Sequence, residues 1–213
     1  MKHILILAAN PEGTTPLRLD REVRAIDQAV RESSLRAEFQ LHQRWALRPR
    51  DLQRALLEIN PEIVHFCGHG EGNKGLTLED ATGQPKLVST DALASLFSLC
   101  AEQIDCVLLN ACYAEVQAKA IVTSIDYVIG MRQAVPDDIA IAFSTGFYQG
   151  IGAGQPIETA FTTGCNAIKT YSHANTASRI APDRATYAPL PEEVQQQSFS
   201  YKDIPVLKRK TDA

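Results

Sequence analysis

IVHFCGHGEG, residues 63–72, opens as an unbroken apolar run and closes on a histidine held between two glycines. A run without polar alternation reads as a strand covered on both faces, the habit of parallel sheets under helices rather than of half-wet antiparallel ones. CVLLNACYAE, residues 106–115, repeats the pattern and closes on a cysteine. Two more apolar runs predict strands at 3–9 and, from DYVIGM, at 126–131. Between the strands the period changes. Leu19, Val23, Ile26 and Val30 share a helical face, and Thr15 before Pro16 predicts where that helix starts. RAEFQLHQRW, residues 36–45, alternates as an edge strand would, and Pro49 then opens a short helix through Leu52 and Leu56 that stops before Pro61. LTLEDATGQPKLV, residues 76–88, reads as a hairpin turning at Thr82-Gly83. Ser89 or Thr90 caps a helix carrying Leu93, Leu96, Phe97 and Cys100. Further helices are expected at 114–124, after Pro136 and after Pro156. Strands and helices taking turns predict an α/β fold with a mostly parallel central sheet and helices on both faces.

Composition narrows the function. A chain of 213 residues can fill one core, and one principal domain is expected over 1–171. From 172 to 202 apolar periodicity gives way to Ser, Ala, Pro and Gln, which reads as a flexible arm or insertion. Residues 203–213 read as a candidate last strand with a basic tail. A formal net charge of −4 argues against a nucleic-acid surface, which needs a clustered excess of Lys and Arg. The apolar start is shorter than the ~7–15 residues of a signal-peptide core and far below a membrane span, so no membrane partner is expected. The five cysteines, at 67, 100, 106, 112 and 165, are odd in number and lie mostly in apolar runs. They fit the reduced thiols of a cytoplasmic protein.

Open parallel sheets collect ligands and chemistry beyond the carboxyl ends of their strands. His69 and Cys112 both stand at such ends, so neighbouring strands would place them in one crevice. An imidazole turns a thiol into a nucleophile, the glycines at 68 and 70 let backbone approach a substrate, and the amides of Gly70 and Cys112 suit an oxyanion. Either residue alone reads more readily as a structural ring or an apolar filler; their matching positions on two strands, with glycines beside the ring, carry the catalytic reading.

HFCGHGE followed by LLNACYA resembles the His and Cys motifs of the caspase, metacaspase, gingipain and separase superfamily, and most closely the bacterial CHAT group of caspase-like cysteine peptidases. The similarity runs from ILILAANPEGTTPLRLDREVRAI through DYVIGM to about residue 170. The resemblance implies a caspase-like three-layer sandwich, His69 as general base and acid, and Cys112 as the nucleophile that forms an acyl-enzyme. It further implies a protein or peptide substrate, no cofactor or metal, and an activating protein partner or homo-oligomer in a regulated signalling or defence assembly. Relatives that cut after Arg or Lys carry an acidic residue two before the cysteine and caspases carry glutamine, whereas this chain has Asn110, a candidate substrate contact. Arg18 and Arg132 are candidates to face an acidic substrate side chain, and Glu71 is a candidate for the rim. The 172–202 arm is a candidate regulatory or self-cleavage segment.

Three rival readings compete. A binding or scaffold module could keep the fold without turnover. A flavodoxin-like NAD hydrolase would need a carboxylate in the crevice, for which Glu71 is the candidate. A metal held by His65, Cys67, His69 and Cys112 fails on reach, because three ligands along one straight strand span about 13 Å at ~3.3 Å per residue. His65 and Cys67 then read as core. GIGAG at 150–154 resembles a dinucleotide loop but follows a helix, so it reads as a helix joint, and Cys106 and Cys165 carry no expected chemistry.

Overall fold

All the predicted apolar runs become strands of one sheet in the computed structural model, which describes residues 1–178 and 203–212, with the backbone alone for 172–178. In chain order its strands are β1 (Lys2–Ala8), β2 (Phe39–Arg44), β3 (Ile63–Cys67), β7 (Cys106–Asn110), β8 (Tyr127–Met131) and β9 (Pro205–Arg209). Three short strands, β4 (His69–Gly70), β5 (Leu76–Glu79) and β6 (Pro85–Val88), leave the main sheet between β3 and β7 as a second, antiparallel sheet. The main order is β2-β1-β3-β7-β8-β9. All pairings in it are parallel except β8 with β9.

Two apolar layers follow from the pleat. Leu5, Leu7, Val64, Phe66, Val107, Leu109 and Val128 point to one face, where α2 (Pro49–Ile59), α3 (Thr90–Leu99) and α4 (Glu115–Ile121) cover them. Ile4, Ile6, Ile63, Cys67, Cys106, Leu108 and Ile129 point to the other, under α1 (Leu19–Arg31), α5 (Asp137–Gly152) and α6 (Ile157–Ser178). The molecule is a three-layer α/β sandwich with a mostly parallel central sheet between two layers of helices, as the alternating sequence pattern pointed to.

Several details depart from expectation. α1 begins at Leu19, not at Thr15, and Arg18 caps it without a side-chain bond. Residues 10–17 are held as a loop instead, because Thr14 Oγ1 donates to the Pro11 carbonyl and Asn10 and Leu17 bond to one another. α4 has only seven residues, and its chain turns through Ser124 and Ile125 before β8. α6 continues to Ser178, past the boundary expected at 171; the rest of the 172–202 arm lies outside the described residues. Gly150 and Gly152 of the GIGAG stretch end α5. A Cβ on Gly150 would sit 2.7 Å from Ala160 Cα of α6, so the stretch serves helix packing.

Candidate active site

His69 reaches its position by a change of sheet. β3 ends at Cys67, and Gly68 turns the chain where a Cβ would lie 2.8 Å from both the Ala9 carbonyl and the Phe66 ring. His69 then pairs with Thr77 across β4 and β5, and Gly70 pairs with Leu76. Cys112 follows β7 by two residues, and Tyr113 behind it takes a left-handed φ of 58°, a conformation unusual for a bulky side chain, before α4 begins. Because β3 and β7 are paired with Cys67 opposite Asn110, His69 and Cys112 leave the same sheet edge side by side. Their loops meet: the Gly68 amide donates to the Asn110 carbonyl at 3.4 Å, and a Cβ on Gly70 would overlap the Cys112 carbonyl oxygen.

The environment of the ring suits a base. Burial lowers the His69 pKa, partly offset by a hydrogen bond to the Thr15 backbone carbonyl and by the nearby charges of Asp137 and Glu71. His69 Nε2 is buried and has no partner. Among the described residues the other buried side-chain atoms without a partner are Thr77 Oγ1, Asn110 Oδ1 and Gln117 Oε1. Thr77 faces His69, Asn110 is two residues from Cys112, and Gln117 Nε2 holds the Gly72 carbonyl at 2.7 Å. Orphaned buried polar atoms are rare in folded proteins, and their gathering at one edge marks a place where water or a ligand completes the bonding.

Cys112 and Cys165 are half-buried, whereas Cys67, Cys100 and Cys106 are buried. Burial raises the pKa of Cys67, Cys100 and Cys106, and pushes Cys165 up to about 11.

Asn110 does not open to solvent. Its side chain is buried, and Nδ2 donates to Glu22 Oε1 at 2.5 Å, Ser144 Oγ at 3.1 Å and the Ala140 carbonyl at 3.3 Å. Glu22 Oε1 also accepts from Ser144 Oγ at 2.9 Å and meets His65 Nε2 at 3.0 Å, while His65 Nδ1 lies 3.2 Å from the Tyr148 hydroxyl. Glu22 was absent from the sequence reading, yet it occupies a core position on the apolar face of α1 between Leu19 and Ile26, which is itself a signal. Arg132 is exposed and shares the Glu115 carboxylate with Lys119 and Lys208 at 3.5, 3.4 and 3.1 Å. Arg18 is exposed beside Asp20, and Glu71 is exposed beside Lys74.

Glu22, His65 and Cys67 bring their polar atoms within 4.8 Å of one another, so part of the metal set considered from sequence does converge, around a carboxylate that reading omitted. Glu22 Oε1 is already met by three side chains, and the Cys67 thiol donates to the Leu7 carbonyl, so the group is closed by hydrogen bonds without an ion. No described helix is long and apolar enough to cross a membrane. A groove of about 720 Å³ between α1, α5 and α6 contains neither His69 nor Cys112.

The CHAT domain family matches residues 16–176. A Roc-COR-CHAT protease of an unknown prokaryotic organism is 23% identical over 175 residues, covering 79% of this chain and 16% of that protein. A probable protease of Gillisia limnaea is 21% identical over 209 residues, covering 97% and 35%. The chain thus spans only a sixth to a third of these relatives. Among solved structures, a secreted C11 cysteine protease of Bacteroides thetaiotaomicron, held with an irreversible peptide inhibitor, superposes with a TM-score of 0.60 at 12% identity, covering 99% of this chain and 67% of the other. The Drosophila initiator caspase Dronc superposes at 0.52 and 11%, covering 78% and 72%.

Proposed function

This chain belongs to the CHAT domain family, and from that premise we propose that it is a cysteine endopeptidase in which His69 and Cys112 cleave peptide bonds of protein substrates. The observation that carries the reading is the meeting of the Gly70 and Cys112 backbones, next to a buried imidazole nitrogen without a partner on one side and a half-buried thiol on the other. The relatives named as proteases support it.

The chemistry follows from the surroundings. A ring kept neutral by burial accepts the Cys112 proton as Sγ attacks the substrate carbonyl, and the amides of Gly70 and Cys112 donate to the oxyanion that forms. Collapse breaks the peptide bond, His69 returns the proton to the leaving amine, and a thioester remains on Cys112. Water, deprotonated by His69, then attacks the thioester; the acid product leaves and the thiol is restored. Arg132 follows β8, next to β7, and the Tyr113 amide bonds to the neighbouring Gln133 carbonyl, so we assign Arg132 to an acidic substrate side chain. Three cations around the single Glu115 carboxylate leave positive charge there. Arg18 and Glu71 belong to the rim in this reading. Both relatives are several times longer than this chain, which supports a catalytic unit inside a larger regulated assembly.

A peptide library read by mass spectrometry tests the proposal with the wild type, His69→Ala and Cys112→Ala. Turnover is expected to vanish in Cys112→Ala and to fall about 10²–10⁴-fold in His69→Ala. Cleavage that persists in Cys112→Ala rules this mechanism out.

A further inference from the structure

Glu22 carries a buried carboxylate among a few polar side chains in a mostly apolar core, and the peptidase reading gives it no role. Only 4% of the residue is exposed, and burying a charge without compensation costs several kcal/mol. Compensation comes from three side chains on three different elements. Asn110 Nδ2 of β7 stands at 2.5 Å, Ser144 Oγ of α5 at 2.9 Å and His65 Nε2 of β3 at 3.0 Å. β7 carries Cys112 two residues beyond Asn110, and β3 leads to His69 four residues beyond His65. One oxygen therefore ties together the two strands whose ends hold the proposed nucleophile and base. Asn110 is also the point where the two ends join, since its carbonyl accepts the Gly68 amide. Packing alone does not call for this arrangement, because an apolar side chain of similar size would fill the same space without a charge to neutralise.

Resting on the peptidase reading, we propose that Glu22 is a positioning residue, which fixes Cys112 against His69 by holding Asn110 and His65 on one carboxylate oxygen. It touches neither the substrate nor the reacting atoms. Its effect reaches the thiol through the backbone of residues 110–112.

The test measures the iodoacetamide labelling rate of Cys112 at neutral pH, read residue by residue, together with the melting temperature. The proteins are the wild type, Glu22→Gln, Asn110→Ala, the double variant, and Ile151→Ala, which opens a cavity in the same core away from the network. Glu22→Gln and Asn110→Ala are each expected to slow labelling about tenfold or more, since small displacements of a reacting pair cost that much or more. The double variant should be no slower than the slower single one, because both act through one link. Ile151→Ala should melt earlier and label at nearly the wild-type rate. Asn110→Ala keeps the test decisive if Glu22→Gln does not fold. A wild type whose fast, His69-dependent labelling is unchanged in Asn110→Ala overturns the role of Glu22 alone, as does a slowing of equal size in Ile151→Ala. A wild type in which Cys112 labels no faster than Cys165 overturns the peptidase reading and this one with it.

Discussion

His69 can act as a base because its surroundings keep it neutral. Burial lowers its pKa, against the pull of the Thr15 carbonyl, Asp137 and Glu71. As pH falls, the unfolded chain takes up this proton first, so the contribution of His69 to stability is intact above the ordinary value near 6.5 and declines below it. In activity, the acid limb of kcat/KM is expected below about pH 6.5. Asp137→Asn removes a charge that favours the imidazolium and should move the limb lower still. A pH–rate profile of the two proteins checks both statements, and a limb at or above 6.5 contradicts them. His69 and Cys112 were legible in the sequence because each ends an apolar run beside small residues. Thr15 and Asp137 were not: they act on the ring from the loop before α1 and from the start of α5, and no local period records such influences. Asn110 was expected to contact a substrate, whereas its amide is turned inward onto Glu22, Ser144 and Ala140.

At the level of elements, the close approach of two loops does the positioning. Gly70 has no room for a Cβ because the Cys112 carbonyl occupies it, and backbone cannot yield as a flexible side chain would. Gly70→Ala is therefore expected to cost about 1–3 kcal/mol of stability and most of the activity, measured by chemical denaturation and by turnover. Retained turnover would show that the two loops need not touch. Ser89→Ala offers a contrast away from the crevice. Its hydroxyl accepts the Ala92 amide at the start of α3, so its loss should cost about 1 kcal/mol and lower the melting temperature by about 2–4 °C with turnover unchanged. The strands, the β5–β6 hairpin and the Pro49 helix could all be read from sequence, since apolar runs, turn residues and a proline at the first helical position are local signals. The start of α1 could not. Thr15 before Pro16 has the chemistry of a helix start, but the bonds between Asn10 and Leu17 and from Thr14 to the Pro11 carbonyl hold residues 10–17 as a loop. The direction of β9 was equally hidden, because an apolar run does not tell parallel from antiparallel pairing.

Across the whole molecule, one carboxylate fastens the last strand to the middle of the chain. Glu115 at the start of α4 meets Lys208 of β9 and Arg132 after β8, so it fastens the last strand to the segment that follows Cys112. Burial alone would raise its pKa, but the hydrogen bonds and charges of Lys208 and Lys119 outweigh that and hold it below the usual glutamate range. Its stabilising effect is thus present above about pH 4.5 and is lost as pH falls through the lowered value. Glu115→Gln should destabilise by about 1–3 kcal/mol at pH 7 and by little at pH 3, as denaturant melts at the two pH values will show. The layered architecture was legible because strand and helix periods alternate along most of the chain; the polar column beneath the crevice was not, since it gathers α1, β3, β7 and α5 from distant stretches. The central claim is that His69 activates Cys112, and the most direct test is the rate of iodoacetamide labelling at each of the five cysteines against pH in the wild type and in His69→Ala. Cys112 should label well ahead of Cys165 and the three buried thiols, and removing the imidazole should slow it about tenfold or more. Equal, slow labelling of Cys112 in both proteins would contradict the claim.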